Sequence, residues 1–333
     1  MPDASFPPVP PAAEGLSADP ADLHSSDLSV GSKAKAAAAN APSCRLPIFT
    51  NEALQRGIDR GEFVLWYQPI CRIADRGVLE GFDSRPIVAV EAAEGLPVDP
   101  ADLNHNDLAD SNNRPIVGVE ALLRWNHPEL GIVAPNDFIP SAIVGGLMPE
   151  LCKRVISSGV ESLCPYPHLS LSLNASVSSL SQRSFLDWLK GYFQAHRDTN
   201  PSSPQQIYLE IVEDIPLPSG EALQRIKAMM GSLLKLGLFI SIDDFGFAYS
   251  TENILKLWEY VGCIKLDRSI TSHLQCPVHK AIAQSAVLIA NSLNAKLIAE
   301  GVEEEWQEQV LIDLGYQFAQ GYFYGKPSPD LPK

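Results

Sequence analysis

The strongest constraint on the fold is a repeated alternation of short apolar runs with longer segments of helical spacing. Strand-like runs stand at Phe63–Ile70 (FVLWYQPI), Ile116–Trp125, Leu169–Leu173 (LSLSL), Ile207–Val212 (IYLEIV), Leu238–Ile242 (LFISI), Cys263–Leu266, Lys296–Ala299 and Gln317–Phe323. Between them, apolar spacing predicts helices over Asn51–Arg60, Leu147–Leu163, Gln182–Ala195, Glu221–Leu236, Ile254–Tyr260, Val278–Leu293 and Glu305–Leu314. Strands alternating with helices imply a largely parallel sheet. This many units in one chain predict a closed β/α barrel.

Two segments fall outside the alternation. Residues 1–47 are rich in Ala, Pro, Ser and Asp and poor in large apolar residues, so burial there cannot offset ordering entropy; the segment reads as a disordered tail before a domain at 48–330. The second is a polar stretch at about 81–113, rich in Asp, Asn and Pro, which reads as an inserted loop. Both take part in internal repeats. AAEGLSADPADLHSSDL at Ala12–Leu28 returns as AAEGLPVDPADLNHNDL at Ala92–Leu108, and RPIVAVEA at Arg85–Ala92 returns as RPIVGVEA at Arg114–Ala121. Neither has the many copies of a solenoid, so both read as local duplications.

Charge and cysteine usage narrow the partners. The formal net charge of the 333 residues is -15, which argues against a DNA or RNA polymer held by a basic surface. A small phosphate ligand stays compatible, because bound cations can supply positive charge locally. The six cysteines show no C-x-x-C pair and fit a reducing cytosol, so a cytoplasmic location is expected. No apolar run reaches the length of a membrane span, and the N-terminus lacks a secretory apolar core.

The informative residues lie at the ends of the strand-like runs. LSLSL ends in Asn174. IYLEIV carries Glu210, with Glu213 after it. LFISI ends in Asp243-Asp244. CIKL carries Lys265 and is followed by Asp267. KLIA ends in Glu300, with Glu303 three residues on, and QFAQGYF carries Gln320. In a β/α barrel the carboxyl ends of the strands converge on one mouth. Several carboxylates in one pocket repel one another unless cations join them. Oxygen ligands without Cys or clustered His favour hard cations such as Mg²⁺ or Mn²⁺. Two such ions would clamp a phosphodiester and activate a water, with Lys265 stabilising charge or orienting that water. A lone acid at a strand end is more often a cap or a surface charge; the argument rests on the set.

The same residues carry a resemblance to a known family. GVEALLRWNHPELGIVAPNDFIP at Gly118–Pro140 resembles the signature segment of EAL-domain cyclic di-GMP phosphodiesterases, with the name-giving triplet at Glu120-Ala121-Leu122. WYQPI, LSLNASVSSLSQ, YLEIVED, SIDDFGFAYS, IKLDRSI, LIAEGVEEEWQ and LGYQFAQGYFYGKP follow the family's order from about Leu46 to Pro329. The resemblance implies a modified TIM (β/α)8 barrel whose first strand runs antiparallel to the others. It implies that Glu120, Asn174, Glu210, Asp243, Asp244 and Glu300 hold two divalent cations, Mg²⁺ or Mn²⁺. Lys265, Glu120, Gln320 and Glu303 then match catalytic positions, Gln68, Arg124 and Asp267 substrate contacts, and Glu213 a residue that steadies the loop after Asp244. The implied reaction is hydrolysis of cyclic di-GMP to linear pGpG, with a homodimer as the expected assembly. The alternative, a cyclic di-GMP receptor that signals without hydrolysis, would be expected to lack some ligands, and here each matched position is filled.

The chain departs from the family in two places. The stretch from Gln68 to Glu120 is longer than the usual hairpin, and the loop after Asp243-Asp244 reads DFGFAYS where the family has DFGTGYS, so Phe247-Ala248 replace Thr-Gly. Glu91 sits in VEAA and lacks the LRW-N-H-P continuation, so it reads as a decoy for Glu120. Trp125, Trp188, Trp258 and Trp306 read as packing residues, His127 as a turn residue, and Glu303-Glu304-Glu305 as acids at a helix N-terminus.

Overall fold

The described residues of the computed structural model are 49–74, 109–110, 114–199, 207–212, 215–246 and 250–332. The predicted tail, most of the predicted insertion, Glu91, Glu213 and Phe247-Ala248 lie outside them.

In chain order the elements are α1 (Asn51–Asp59), β1 (Phe63–Arg72), β2 (Ile116–His127), β3 (Gly131–Val133), α2 (Pro135–Val144), α3 (Met148–Leu163), β4 (Ser170–Ser176), α4 (Val177–Leu180), α5 (Arg183–Thr199), β5 (Ile207–Val212), α6 (Gly220–Leu234), β6 (Leu238–Phe245), α7 (Ser250–Leu257), β7 (Val261–Leu266), α8 (Arg268–Thr271), α9 (Pro277–Leu293), β8 (Lys296–Ala299), α10 (Glu305–Leu314) and β9 (Phe318–Gln320). The sheet runs β1-β9-β8-β7-β6-β5-β4-β2, and pairing of β1 with β2 closes it into an eight-stranded barrel. β1 is antiparallel to both its neighbours, with Gln68 opposite Glu120 and Ile70 opposite Gln320. The links from β2 through β4 to β9 are parallel. The barrel is therefore of the modified TIM type, with β3 a short hairpin partner on the end of β2.

Two apolar layers hold the barrel. The larger lies between strands and helices. There, alternate strand residues such as Leu171, Leu173, Leu209, Ile211, Ile240 and Ile242 meet helix residues such as Ile156, Val160, Leu189 and Ala286. The smaller cluster, Ile70, Val117, Tyr208, Cys263, Ile298 and Phe318, is separate from it. Ile70, Tyr208, Ile298 and Phe318 each stand two residues along their strands from Gln68, Glu210, Glu300 and Gln320, so they share the inward face. This cluster fills the barrel beneath the polar mouth. Lys296 closes it from below, with its ammonium 4.9 Å from the Tyr208 ring centroid and 5.1 Å from that of Phe318. Burial among these groups pulls the Lys296 amine down to about 8.

Each predicted strand and helix has a counterpart, with shifts at the edges. The predicted helix at Ile254–Tyr260 is split into α7 and a 3-10 turn at Trp258–Tyr260. The predicted last strand ends at Gln320, because the chain turns at Gly321 and Phe323 N–H donates to Val302 O. Helix α2 escaped the periodicity: Pro135 opens it and Pro140 interrupts its interior, so its apolar spacing is broken. Trp125 is buried against Phe49, Phe63 and Phe138, and its indole N–H donates to Glu62. His127 Nδ1 accepts from the N–H groups of Glu129 and Leu130, which makes it a turn residue as read from sequence. None of the five described cysteines forms a disulfide. Among the described residues no helix is long and apolar enough to cross a membrane.

Gly118 shows why the copy at Arg114–Ala121 forms β2. A Cβ at Gly118 would lie 2.1 Å from Ser170 Oγ and 2.9 Å from Ser170 O, closer than real side chains approach. The other copy, RPIVAVEA, carries Ala89 at the matching position and would meet this obstacle in the same slot. Overpacked sites cost about 1–3 kcal/mol. Gly118→Ala is therefore expected to lower stability by about 2 kcal/mol, read as a drop in the denaturation midpoint; an unchanged midpoint would mean that Ser170 moves aside freely.

Candidate active site

At the carboxyl ends of the strands, β2, β5, β6 and β8 deliver Glu120, Glu210, Asp243 and Glu300 around one cation from β7, Lys265. The Lys265 ammonium lies 3.2 Å from Glu120 Oε2, 2.9 Å from Glu210 Oε1, 3.4 Å from Asp243 Oδ1 and 2.5 Å from Glu300 Oε1. Lys265 is 1% exposed and the Glu210 side chain is fully enclosed. Four acids from four strands of the barrel meet here because the inward face of a strand recurs every second residue and the barrel staggers its strands into layers.

A layer of amides holds the geometry. Gln320 Nε2 donates to Glu120 Oε2 at 2.7 Å and to Gln68 Oε1 at 3.0 Å. Asn174 Nδ2 donates to Glu120 Oε1 at 3.2 Å. Gln68 Nε2 in turn donates to Gly325 O, in the segment that follows β9. Both oxygens of Glu120 are thus fixed, and Gln320 also fixes Gln68. Neutral donors suit this place, because they satisfy a buried carboxylate without adding another full charge.

The electrostatics are divided. Burial pushes the Glu120 carboxyl up, but the Lys265 ammonium and the hydrogen bonds from Gln320, Lys265 and Asn174 outweigh it and hold the group below its ordinary value. Burial and the charge of Glu120 drive Glu210 well above the usual carboxylate range. Burial, with Asp243 beside it, raises Asp244 to about 7. Burial also raises Glu300 to about 8 against the pull of Lys265. Burial disfavours the Lys265 ammonium, but Asp243, Glu120, Glu210 and Glu300 override that and hold it protonated.

The residues fit a hard cation. One carboxylate oxygen from each of Asp243, Asp244 and Glu300 falls within a 4.8 Å group. Both Glu210 oxygens and Asp243 Oδ1 are buried with no hydrogen-bond donor in good geometry, although Lys265 is within ion-pair distance of Glu210 Oε1 and Asp243 Oδ1. Asp244 holds a left-handed backbone, φ 51°, which a non-glycine residue adopts at some cost. That conformation lets two consecutive carboxylates serve one place.

The other predicted residues fall at several distances from this centre. Arg124 stands on β2 above Glu120, its guanidinium over the Trp66 ring at 5.6 Å. Asp267 accepts from Ser269 N–H at 2.8 Å and caps α8, and its carboxylate is one of the charges that raise Asp244. Glu303 is exposed, and its backbone N–H donates to Gln307 Oε1. Glu304, as expected of an acid at a helix start, completes a capping box with Gln307. Trp66, half-buried on the inward face of β1, was not singled out by sequence; its position two residues before Gln68 was the signal available.

Comparison with known proteins identifies the family. The EAL domain profile matches residues 108–327. The chain belongs to the EAL domain family. A bifunctional diguanylate cyclase/cyclic di-GMP phosphodiesterase, MucR of Pseudomonas aeruginosa, is 30% identical over 223 residues, covering 65% of this chain and 31% of MucR. The cyclic di-GMP phosphodiesterase RocR of the same organism is 27% identical over 284 residues, covering 83% of this chain and 60% of RocR. The chain thus spans less than two thirds of the length of either relative. Among solved structures, the PaMucR phosphodiesterase in complex with c-di-GMP superposes with a TM-score of 0.62 at 26% identity, covering 84% of this chain and 96% of that one. An EAL domain protein from Listeria monocytogenes gives a TM-score of 0.63 at 20% identity, covering 84% and 94%, and shares the fold.

The raised Asp244 and Glu300 pKa values make a prediction for the metal-free EAL domain. In the folded state these groups keep protons that the unfolded chain has already released, so the folded state binds more protons between about pH 4 and 8. Stability must then fall as pH rises through that window. With chelator present, the melting temperature is expected to decline from pH 5 to pH 8, and Glu300→Gln should flatten the decline. An equal slope in both proteins would remove Glu300 as its source.

Proposed function

We propose that this EAL domain is a metal-dependent phosphodiesterase that hydrolyses cyclic di-GMP to linear pGpG. The observation that carries the reading is the oxygen-only ring of Glu120, Glu210, Asp243, Asp244 and Glu300 around a buried Lys265. Five carboxylates, when ionised, against one ammonium leave a surplus of negative charge. Two like charges about 4 Å apart cost about 4 kcal/mol at an effective dielectric of 20, so the ring is suited to divalent cations rather than to an empty pocket.

Glu120, Asn174, Glu210, Asp243, Asp244 and Glu300 would hold two such ions, Mg²⁺ or Mn²⁺. When bound, the ions polarise a phosphoryl oxygen and make a water more acidic. The chain's own residues do the rest. Lys265, kept protonated by its acids, would donate to the attacking water or to the phosphoryl oxygen on which negative charge develops. Gln320 and Asn174 keep both Glu120 oxygens in place through the reaction. Gln68, steadied by Gly325 O, and Arg124 at the rim position the dinucleotide. Water adds its oxygen to phosphorus, one P–O3′ bond breaks, and the 3′ oxygen takes up a proton, so one ring opening yields the linear product. Asp267, which caps α8, would contact the substrate, and Glu303, exposed three residues after Glu300, would assist catalysis. A homodimer and a cytoplasmic location belong to the same reading, as does a single catalytic domain at 48–330 carrying a hairpin insertion. The last draws support from the direct pairing of β1 with β2 on either side of the inserted stretch.

Two outcomes test the proposal. Chromatography of the nucleotides is expected to show pGpG formed with Mg²⁺ or Mn²⁺ and none with EDTA; untouched cyclic di-GMP with both metals and folded protein would refute hydrolysis. Glu120→Gln is expected to lower kcat by at least about 10²-fold, as loss of a preorganised polar group at a reacting centre does, whereas Glu91→Gln leaves it unchanged. Equal activities would place the wrong copy of the repeat at the site.

A further inference from the structure

We infer that the rim of the barrel carries two aromatic faces, Trp66 and Tyr322, that stack on the guanine bases of the substrate and make the site selective for them. The inference rests on the phosphodiesterase reading for the identity of that substrate and extends it from the reacting phosphate to the bases. The floor of the site is built of carboxylates, amides and one ammonium, which address a phosphodiester whatever bases flank it. Discrimination among cyclic dinucleotides must come from higher up.

β1 runs against the other strands, so residues before Gln68 stand farther out towards the mouth. Trp66 shares the inward face of Gln68 and pairs with Leu122, one step above the Gln68–Glu120 pair. It is half-buried, and the Arg124 guanidinium lies 5.6 Å from its ring centroid. Tyr322 follows β9 two residues after Gln320, is 57% exposed, and lies within electrostatic reach of Arg124. The Lys326 ammonium sits 5.3 Å from the Tyr322 ring centroid. The mouth therefore presents two rings, each with a cation beside it.

That combination suits a purine with acceptors on its edge. Stacking of a base on an aromatic side chain contributes about 1–3 kcal/mol, and Arg or Lys donors match O6 and N7 of guanine, where adenine presents an amino donor at N6. Three of the remaining tryptophans are already engaged. Trp125 is buried, Trp188 stacks on Tyr192 at 5.3 Å, and Trp306 donates to Glu304. Trp66 packs beside the proposed substrate contacts Gln68 and Arg124 instead.

The test compares three substrates in the full chain: cyclic di-GMP, cyclic di-AMP and bis(p-nitrophenyl) phosphate, a phosphodiester without bases. Trp66→Ala and Tyr322→Ala are each expected to raise KM for cyclic di-GMP about tenfold or more. The kcat should stay within about threefold, rates on bis(p-nitrophenyl) phosphate should not change, and preference over cyclic di-AMP should shrink. Trp66→Phe should restore most of the loss. Parallel losses on cyclic di-GMP and the small diester would show a structural role and overturn the inference, as would no change in either variant. Should the wild-type chain hydrolyse none of the three, the phosphodiesterase reading fails by itself. Equilibrium dialysis with cyclic di-GMP then decides: weakening of about tenfold in both alanine variants upholds the aromatic rim, and equal affinity or absence of binding in the wild type overturns it.

Discussion

The Lys265 ammonium, held among Glu120, Glu210, Asp243 and Glu300, is the interaction on which the mouth of this barrel depends. Ionised carboxylates this close and this buried would repel one another and lose their hydration. One fixed cation relieves part of that and leaves the remainder as an electrostatic demand for divalent ions. The raised Asp244 and Glu300 and the lowered Glu120 are the record of this division: the ammonium and the amides favour one carboxylate at the expense of the others.

The barrel is arranged to support that centre. Beneath it, the cluster of Ile70, Tyr208, Ile298 and Phe318 excludes water from the lower half, and Lys296 closes the bottom between two rings. To one side, the antiparallel β1 places Gln68 against Glu120 and Gln320 at once, which a parallel strand entering at the same place would not do with the same residues. Around the outside, Arg114 is paired with the buried Glu308 on α10, and Tyr324 O–H donates to the same carboxylate. That anchor fastens the start of β2 to the helix layer. It sets the height at which Glu120 reaches the mouth.

The charge distribution gives the mouth two levels with different tasks. Glu120 and Glu210 lie low and enclosed, while Arg124 and Lys326 stand at the rim beside Trp66 and Tyr322. A phosphodiester entering such a site passes cations first and meets the carboxylate floor last. The overall charge of -15 is therefore a poor guide to the local field at the entrance.

The amino-acid sequence alone determined the alternation of strands and helices and the placement of acids and amides at strand ends, because periodicity and strand-end chemistry are local properties. It also distinguished Glu120 from Glu91 by the residues that follow each. The tertiary structure adds a packing reason for the second copy to form β2, since a Cβ at position 118 would crowd Ser170. Strand ends written as separate motifs do not say which acids share a cation: Glu210 and Glu120 meet at Lys265, Asp267 turns to cap α8, and Glu303 points to solvent. Helix α2 was hidden by its two prolines, and Trp66 was hidden because its neighbours across the mouth, Arg124 and Tyr322, lie on strands and turns far away in the chain. These pairings depend on barrel closure and strand stagger, which join residues by register rather than by sequence distance.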